Sequence, residues 1–247
     1  MSEAHTHLFI VRLTITSPAK ACLNMALAKF IFQKLSAVLS KKKIYLTRSL
    51  SYRREFDKIP LNIDYIRYST LSLCYEEIVA NHVKGNVAEL GVYQGNFSMR
   101  LNLLFSDRKL YLFDTFEGFN EKDIQVEQKE GFSSGEQDFS DTSVEMVMKK
   151  MKHPENCIIR KGMFPSTAEG VEDRFCFVSL DADLYEPIYQ GLKFFYPRLE
   201  KGGYIFVHDF NNEGYKGARQ AVVQYCKENN ISYVPIPDSG GTAIILK

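Results

Sequence analysis

The sequence predicts an α/β protein built on a doubly wound, mostly parallel sheet. From residue 64 onward, short apolar strand patterns alternate with helical patterns, and this alternation is typical of parallel sheets. Several strand patterns also end directly in an acidic residue, at the edge where open α/β sheets place their binding sites. With 247 residues and 45% hydrophobic content, the chain suits one such domain with an added segment.

The added segment is the N-terminal part, residues 1–60, which is basic and lacks the alternation. Its apolar run from Ala21 to Leu39 predicts an amphipathic helix. The run is too polar to cross a membrane, because four polar residues interrupt it: Asn24, Lys29, Gln33 and Lys34. It also begins too late in the chain for a signal peptide. We expect residues 1–60 to act as a lid, to pack on the core or to contact a partner subunit, and residues 61–247 to form the domain.

Charge and cysteine content exclude other classes of protein. The net charge of +1 provides no field for nucleic acid, and we expect neither a nucleic acid nor a membrane as partner. The five cysteines are odd in number and lack C-x-x-C spacing, which argues against a disulfide framework and against a zinc site. A reducing, cytoplasmic setting is the corresponding expectation.

A helical pattern through Leu71 and Ile78 precedes the first strand, Val87 to Leu90. This strand contains Glu89 and is followed by Gly91 and Gly95. An acidic side chain near the end of a strand, followed by backbone that glycine lets approach a ligand, is typical of sites for an adenosine-bearing cofactor. The glycine spacing differs from the G-x-G-x-x-G pattern that binds pyrophosphate. A cofactor without phosphates, such as S-adenosylmethionine, fits better, and Glu89 would accept a hydrogen bond from its ammonium group, directly or through water.

The second strand, Leu110 to Phe113, stops at Asp114, 25 residues after Glu89. A carboxylate at this position can accept hydrogen bonds from both ribose hydroxyls, although a helix cap or turn residue is the alternative. Residues 117–141 are polar with few apolar anchors, which indicates a mobile lid outside the core or a solvated surface insertion. Thr142 and Glu145 then predict a capping box for a helix that reaches Met151.

The third strand, Cys157 to Arg160, is followed by Gly162 and Met163, which we expect to line an adenine site. The fourth strand runs from Phe175 to Leu180. The Lys201-Gly202-Gly203 segment predicts the turn into the fifth strand, Tyr204 to Val207. A helix and a closing hairpin follow, at Gly217 to Glu228, Tyr233 to Ile236 and Thr242 to Leu246. These patterns predict a seven-stranded sheet with an antiparallel last strand.

The fourth strand ends at Asp181 and Asp183, and the fifth ends at His208 and Asp209. Because parallel neighbours end at the same edge of a sheet, Asp181 and Asp209 are expected to converge and to hold a hard cation such as magnesium. Such a cation can lower the pKa of an acceptor hydroxyl for methyl transfer, with Asp183 or His208 taking the proton. The alternatives are that Asp183 caps a helix or supports a ligand, and that His208 is structural.

Four segments together resemble the macrocin O-methyltransferase (TylF-type) family: residues 64–71, 88–95, 112–119 and 180–187. The resemblance covers residues 64–247 and implies a Rossmann-like, class I, S-adenosylmethionine-dependent and divalent-metal-dependent methyltransferase. Such enzymes act on a sugar hydroxyl of a small molecule and form homo-oligomers.

The resemblance also assigns roles to individual residues. Cofactor positions fall on Glu89, Gly91 and Asp114, with Thr70 near the methionine end, and metal positions fall on Asp181 and Asp209. Members of the family usually have an acidic pair at the end of the fifth strand, where this chain has His208-Asp209. An imidazole ligand suits manganese or another transition ion better than magnesium, or else leaves the site one ligand short.

Two other functions are compatible with the pattern. One is a nicotinamide-dependent oxidoreductase, although the close third glycine and a Tyr-x-x-x-Lys arrangement are missing. The other is an S-adenosylmethionine-binding protein that has lost catalysis, with His208 as the mark of a dismantled metal site.

Overall fold

The structure, a computed structural model, describes residues 18–42 and 64–247. The chain divides into two compact units, Met1–Glu55 and Phe56–Lys247. In the first unit, helix α1 spans Pro18–Ser40 and includes the run from Ala21 to Leu39 that predicted a helix. Four apolar side chains of α1 are exposed: Phe30, Ile31, Leu35 and Val38.

The second unit contains a seven-stranded sheet. Its strands are β1 (Asn86–Leu90), β2 (Leu110–Asp114), β3 (Cys157–Lys161), β4 (Phe175–Leu180), β5 (Leu199–Val207), β6 (Tyr233–Ile236) and β7 (Thr242–Leu246), in the order β3-β2-β1-β4-β5-β7-β6. Strand β7 is antiparallel to β5 and to β6, whereas β1 to β5 pair in parallel. The predicted fold class and the antiparallel last strand are confirmed.

Within residues 64–247, six α-helices accompany the sheet: α2 (Tyr65–Ala80), α3 (Asn96–Leu104), α4 (Glu121–Glu130), α5 (Val144–Lys150), α6 (Tyr185–Arg198) and α7 (Lys216–Asn229). Strand β2 shows how they bury both faces. Leu110 and Leu112 belong to one hydrophobic cluster, and Tyr111 and Phe113 belong to the other. Successive side chains of a strand point to opposite faces, so a strand buried on both sides requires helices on both sides.

Segment 117–141 differs from its prediction because it contains helix α4, which packs against α6. The Glu127 side chain is fully buried. Its Oε1 accepts a hydrogen bond from the Tyr185 backbone N–H at 2.7 Å, and its Oε2 accepts one from Ser133 Oγ at 2.8 Å. Within residues 117–141, none of the apolar side chains belongs to either hydrophobic cluster, as the sequence indicated, and the segment's buried group is a carboxylate that has hydrogen-bond partners.

Two local predictions also need correction. The cap of α5 is Ser143, whose Oγ accepts from the Met146 N–H at 3.1 Å, while the Thr142 hydroxyl donates to the Tyr93 carbonyl instead. The predicted turn at residues 201–203 lies inside β5, which begins at Leu199. There the pairing with β4 shifts register and Gly202 takes a φ of 84°, so the sheet accommodates the glycines as an irregularity.

Candidate active site

A cavity of about 430 Å³ opens at the edge of the sheet where the parallel strands end. Six acidic or basic residues from the ends of β1, β2, β4 and β5 line it: Glu89, Asp114, Asp181, Asp183, His208 and Asp209. The structure therefore brings together the four carboxylates that the sequence analysis placed at one edge. One cavity adjoins both the glycine turn after β1 and the acidic cluster after β4 and β5.

The glycine turn lies directly against the end of β4. Gly91 has a φ of 85°, and a Cβ atom at this position would lie 2.1 Å from the backbone oxygen of Asp181. Only glycine fits both that conformation and that approach. The turn therefore places the ends of β1 and β4 in contact at the cavity.

Glu89 is a buried carboxyl at the cavity, with 1% of its surface exposed. Ser98 Oγ donates a hydrogen bond to Glu89 Oε2. Burial raises the pKa of Glu89 to about 8, and the opposing effects of Ser98 and Arg67 do not cancel that rise. In the protein without ligand, Glu89 is therefore mostly protonated at pH 7, and a cationic group would favour its ionised form.

Asp114 lines the same cavity, but its carboxylate holds the glycine turn in this structure. Asp114 Oδ2 accepts from the backbone N–H groups of Val92 at 2.6 Å and Tyr93 at 2.9 Å, and Oδ1 accepts from Phe116 at 2.6 Å. This is the role of a turn residue, the alternative that the sequence left open. Binding of ribose by Asp114 stays a prediction.

The other predicted cofactor residues divide into two groups. Gly162 and Met163 line the cavity together with Gly91. Among the described residues that line it, neither Thr70 nor Gly95 is present. The Thr70 hydroxyl donates to the Ile66 carbonyl at 2.7 Å, and Gly95 is the N-cap residue before α3, with a φ of 74°. Cofactor contacts by Thr70 and Gly95 stay predictions.

Asp181, His208 and Asp209 offer ligand atoms that lie within 4.8 Å of one another. The His208 Nδ1 atom is 3.0 Å from Asp181 Oδ1 and 2.8 Å from Asp209 Oδ2. Burial alone would lower the pKa of His208, but the charge of Asp181 and the hydrogen bonds to both carboxylates outweigh it and raise that pKa to about 10. The two carboxylates therefore favour the imidazolium form of His208 in the protein without a cation.

Asp183 lies next to this group and lines the cavity. Burial and the charges of Asp209 and Asp181 raise its pKa well above the ordinary value. Asp183 and Asp209 both have a φ of 57°, a conformation that residues other than glycine rarely adopt and that is frequent at functional sites. A carboxyl group with a raised pKa is a stronger base once it is ionised, and a cation bound beside it would favour the ionised form.

The hairpin β6–β7 contributes to the same site through residues 238–241. The N–H groups of Phe210 and Asn211 donate to the carbonyls of Gly241 and Gly240, each at 2.9 Å. A Cβ atom on Gly240 would lie 2.9 Å from Asp209 Oδ1 and 3.1 Å from His208 Cε1. The turn of this hairpin thus packs directly against the acidic cluster.

Arg67 of α2 is a site residue that the sequence pattern did not predict. Its guanidinium lies 2.9 Å from Asp181 Oδ2 through Nη2, and its Cζ atom is 4.1 Å from the centre of the Phe97 ring. Only 7% of Arg67 is exposed, and it lines the cavity. Its position in segment 64–71, one of the four that resemble the family, indicated a functional role. Helical periodicity, however, does not distinguish a buried arginine from a surface one.

Aromatic rings line another part of the cavity and were also missed. Phe119 and Phe139 have ring centres 4.9 Å apart, and Phe119 and Tyr215 have centres 6.1 Å apart. The Tyr215 hydroxyl donates to Gln137 Oε1 at 2.6 Å. Segment 117–141 therefore supplies a cavity wall, whereas its mobility stays a prediction.

Comparisons with known proteins agree with this geometry. The family model described as macrocin-O-methyltransferase (TylF) matches residues 62–244. The 8-demethyl-8-(2,3-dimethoxy-alpha-L-rhamnosyl)-tetracenomycin-C 4'-O-methyltransferase of Streptomyces olivaceus is 26% identical over 72% of this chain and 71% of that protein. The demethyldecarbamoylnovobiocin O-methyltransferase of Streptomyces niveus is 24% identical over 58% of this chain and 60% of that protein.

Two solved structures share the fold. The O-methyltransferase NovP has a TM-score of 0.64 at 21% identity, covering 73% of this chain and 79% of NovP. The calicheamicin methyltransferase CalS11 has a TM-score of 0.61 at 17% identity, covering 99% of each chain. In the part of the chain that the structure describes, none of the helices has the length and apolar character needed to cross a membrane.

Proposed function

The chain belongs to the macrocin-O-methyltransferase (TylF) family and is an S-adenosylmethionine-dependent O-methyltransferase, and we propose that it methylates a sugar hydroxyl of a glycosylated small molecule. The relative from Streptomyces olivaceus is named for a substrate that carries a rhamnosyl group. The observation that carries the proposal is the single cavity that Glu89 shares with the cluster of Asp181, Asp183, His208 and Asp209. Family membership favours methyl transfer over the nicotinamide-dependent alternative.

We propose that the cofactor lies along the glycine turn, with its ammonium at Glu89 and its adenine beside Gly162 and Met163. Asp114 would bind the ribose from the end of β2. This arrangement is supported by the cavity, which the four residues share, and by the raised pKa of Glu89, which a cationic partner would lower. The methyl group would then point toward the acidic cluster after β4 and β5.

We propose that Asp181, Asp209 and His208 hold a divalent cation. Their donor set fits one, since two carboxylates and an imidazole offer ligand atoms within 4.8 Å of one another. Two oxygen ligands and one nitrogen ligand suit manganese or a similar ion better than magnesium. His208 binds a cation only after it loses its proton. When bound, the cation lowers the pKa of an acceptor hydroxyl.

For the proton of that hydroxyl, we propose Asp183 as the acceptor. The sequence left Asp183 and His208 as alternatives. In the proposed cation-bound enzyme, His208 would be engaged as a ligand of the cation, whereas Asp183 lines the same cavity outside that ligand set. The hydroxyl oxygen would attack the methyl carbon as the carbon–sulfur bond breaks, which leaves S-adenosylhomocysteine.

The test combines binding and turnover. The full chain is incubated with S-adenosylmethionine, manganese or magnesium and a panel of glycosides, and both S-adenosylhomocysteine and methylated glycoside are measured. We expect equal amounts of the two products with at least one glycoside. Binding of S-adenosylhomocysteine without any turnover would favour the inactive cofactor-binding protein, and no binding would overturn the proposal.

Three further features are proposed on the sequence alone. We propose that the chain forms homo-oligomers, which light scattering on the full chain measures. We propose a cytoplasmic location, because the five cysteines are odd in number and lack C-x-x-C spacing. The role of residues 1–60 as a lid, as packing or as an oligomer contact stays a prediction that lies largely outside the described residues.

A further inference from the structure

The amino-acid end of S-adenosylmethionine is a zwitterion, so it needs one partner for its ammonium and another for its carboxylate. Glu89 is the proposed partner of the ammonium. A carboxylate that enters a buried site without donors is strongly unfavourable, because it loses its hydration. The carboxylate therefore needs hydrogen-bond donors close to Glu89.

The backbone of the glycine turn supplies few donors. The Gly91 N–H donates to the Phe113 carbonyl at 3.0 Å. The N–H groups of Val92 and Tyr93 both donate to Asp114 Oδ2. Because these three donors are engaged within the protein, a side chain is the better candidate for the carboxylate.

Two cationic side chains are found among the described residues that line the cavity, Arg67 and His208. His208, which follows the carboxyl end of β5, has its Nδ1 atom shared between Asp181 and Asp209. Arg67 has more donors left for a ligand, since its hydrogen bonds to Asp181 Oδ2 and Ser179 Oγ both use Nη2. A guanidinium carries five N–H donors, and the Arg67 Nε atom is buried without a partner.

Arg67 is also in the right place. Ser179, which accepts from Arg67 Nη2 at 3.4 Å, lies opposite Glu89 in the pairing of β1 with β4. Paired residues of neighbouring strands lie about 4.8 Å apart and point to the same face, and the charge of Arg67 is close enough to Glu89 to lower its pKa against the effect of burial. The ring of Phe97, 4.1 Å from Cζ, fixes the plane of the guanidinium from one side. A carboxyl group that a cationic ligand would ionise and a guanidinium are thus held near each other at one wall of the cavity.

We propose that Arg67 binds the α-carboxylate of the cofactor while it continues to hold Asp181, so that Glu89 and Arg67 together recognise the amino-acid zwitterion. This inference rests on the proposed function, since it assumes that S-adenosylmethionine binds here. Arg67 would then connect the cofactor to Asp181, because one guanidinium contacts both. Bidentate arginine–carboxylate pairs are strong and geometrically specific.

The test is calorimetric titration of the full chain with three ligands. S-adenosylhomocysteine has the complete amino acid, its decarboxylated analogue keeps only the amine, and 5′-methylthioadenosine lacks the whole amino-acid group. We expect wild type to bind S-adenosylhomocysteine about tenfold or more tightly than the decarboxylated analogue, as the loss of a charged hydrogen bond implies. Arg67→Met should weaken the binding of S-adenosylhomocysteine by a similar factor. Its affinity for 5′-methylthioadenosine should stay within about twofold of the wild-type value.

Arg100→Met is the matched control. Arg100 is also a buried arginine beside α2, with Nη2 3.3 Å from Ser72 Oγ, but it does not line the cavity. This variant should leave the affinities for all three ligands unchanged. Arg67→Lys keeps the positive charge but cannot bind a carboxylate through two parallel N–H groups. Its affinity for S-adenosylhomocysteine should lie between those of wild type and Arg67→Met.

If Arg67→Met lost equal affinity for S-adenosylhomocysteine and for 5′-methylthioadenosine, the inference would be overturned. Arg67 would then have a structural role at Asp181. Equal wild-type affinities for S-adenosylhomocysteine and its decarboxylated analogue would overturn the inference too, even if no Arg67 variant folds. Neither outcome affects the proposed function. Failure of wild type to bind S-adenosylhomocysteine at all would remove the proposed function itself.

Discussion

Burial changes the protonation of single carboxyl groups in this cavity, and Glu89 shows the effect on ligand binding. Its pKa in the ligand-free protein is about 8, because burial disfavours the charged form. At pH 7 the group holds its proton, and the cofactor's ammonium then favours the ionised form. Binding of S-adenosylhomocysteine should therefore release a proton, and affinity should rise from pH 6 to pH 8.

Calorimetry in two buffers with different ionisation enthalpies measures that proton release. Glu89→Gln should abolish it, whereas Asp183→Asn should retain it. In the ligand-free protein the folded state keeps this proton to higher pH than the unfolded state does. Its free energy of unfolding should therefore fall between about pH 4.5 and pH 8, and less so in Glu89→Gln. No proton release by wild type in this range would contradict the assignment of Glu89.

Asp183 is expected to act in turnover and not in cofactor binding. Asp183→Asn should lower kcat about 100-fold or more, as loss of a general base does, with the affinity for S-adenosylhomocysteine unchanged. The measurement is kcat with a productive glycoside, next to calorimetry with S-adenosylhomocysteine. A variant with full kcat would exclude Asp183 as the proton acceptor.

His208 determines which cation we expect and how its binding depends on pH, because family members usually have an acidic residue at this position. Cation binding to wild type requires loss of the His208 proton, so affinity for manganese should rise with pH toward the pKa of about 10. His208→Asp removes this requirement and should shift the preference from manganese toward magnesium. Titration with each ion at pH 7 and pH 9 tests both points.

The same ion preference and the same pH dependence in wild type and His208→Asp would show that His208 is not a ligand. Activity in the presence of a chelator, or full activity in Asp181→Asn, would remove the metal from the mechanism. The cofactor assignment would survive either result.

At the scale of elements, α4 and α6 are joined by one carboxylate. Helix α6 lacks a side-chain cap of its own, and Glu127 of α4 accepts from the Tyr185 N–H at its first turn. Glu127→Ala should lower the free energy of unfolding by about 2 kcal/mol, because that N–H loses its charged partner. Urea unfolding measures the change.

Glu130→Ala provides the control for this prediction, since Glu130 belongs to the same helix and is exposed. It should change the free energy of unfolding by less than about 0.5 kcal/mol. Equal effects of the two substitutions would mean that the contact to α6 contributes little.

The elements also show what the sequence could predict. Strands β1, β2 and β4 were predicted to within one residue at each end, because apolar strands between glycines and carboxylates have a clear pattern. Helix α4 was missed because its mean composition is polar and its buried group, Glu127, is charged. The Arg67 contact with Asp181 joins residues 114 positions apart, and no local pattern contains such a pairing.

At the scale of the whole molecule, the acidic cluster depends on the hairpin β6–β7. Gly240 has a φ of 77° and leaves no room for a Cβ atom beside Asp209 and His208. Gly240→Ala should lower kcat and cation affinity, because the added carbon displaces those side chains. It should also cost about 1–2 kcal/mol of stability through the backbone conformation alone.

Gly170→Ala separates these two effects. Gly170 has a φ of 74° and nothing within 4 Å of its added Cβ atom, so it carries the conformational cost without the contact. We expect similar losses of stability in both variants and a loss of kcat in Gly240→Ala only. If both kept wild-type kcat, the contact between the hairpin and the cluster would have no role in turnover.

The position of that hairpin in the chain sets an order of events during synthesis. Residues 238–241 leave the ribosome after every strand that carries a carboxylate of the cluster. Until then, Asp209 and His208 lack the turn that packs against them, while the glycine turn and Glu89 are already present. During synthesis, the residues proposed to bind the cofactor are therefore all in place in the chain before the turn that packs against Asp209 and His208 is added.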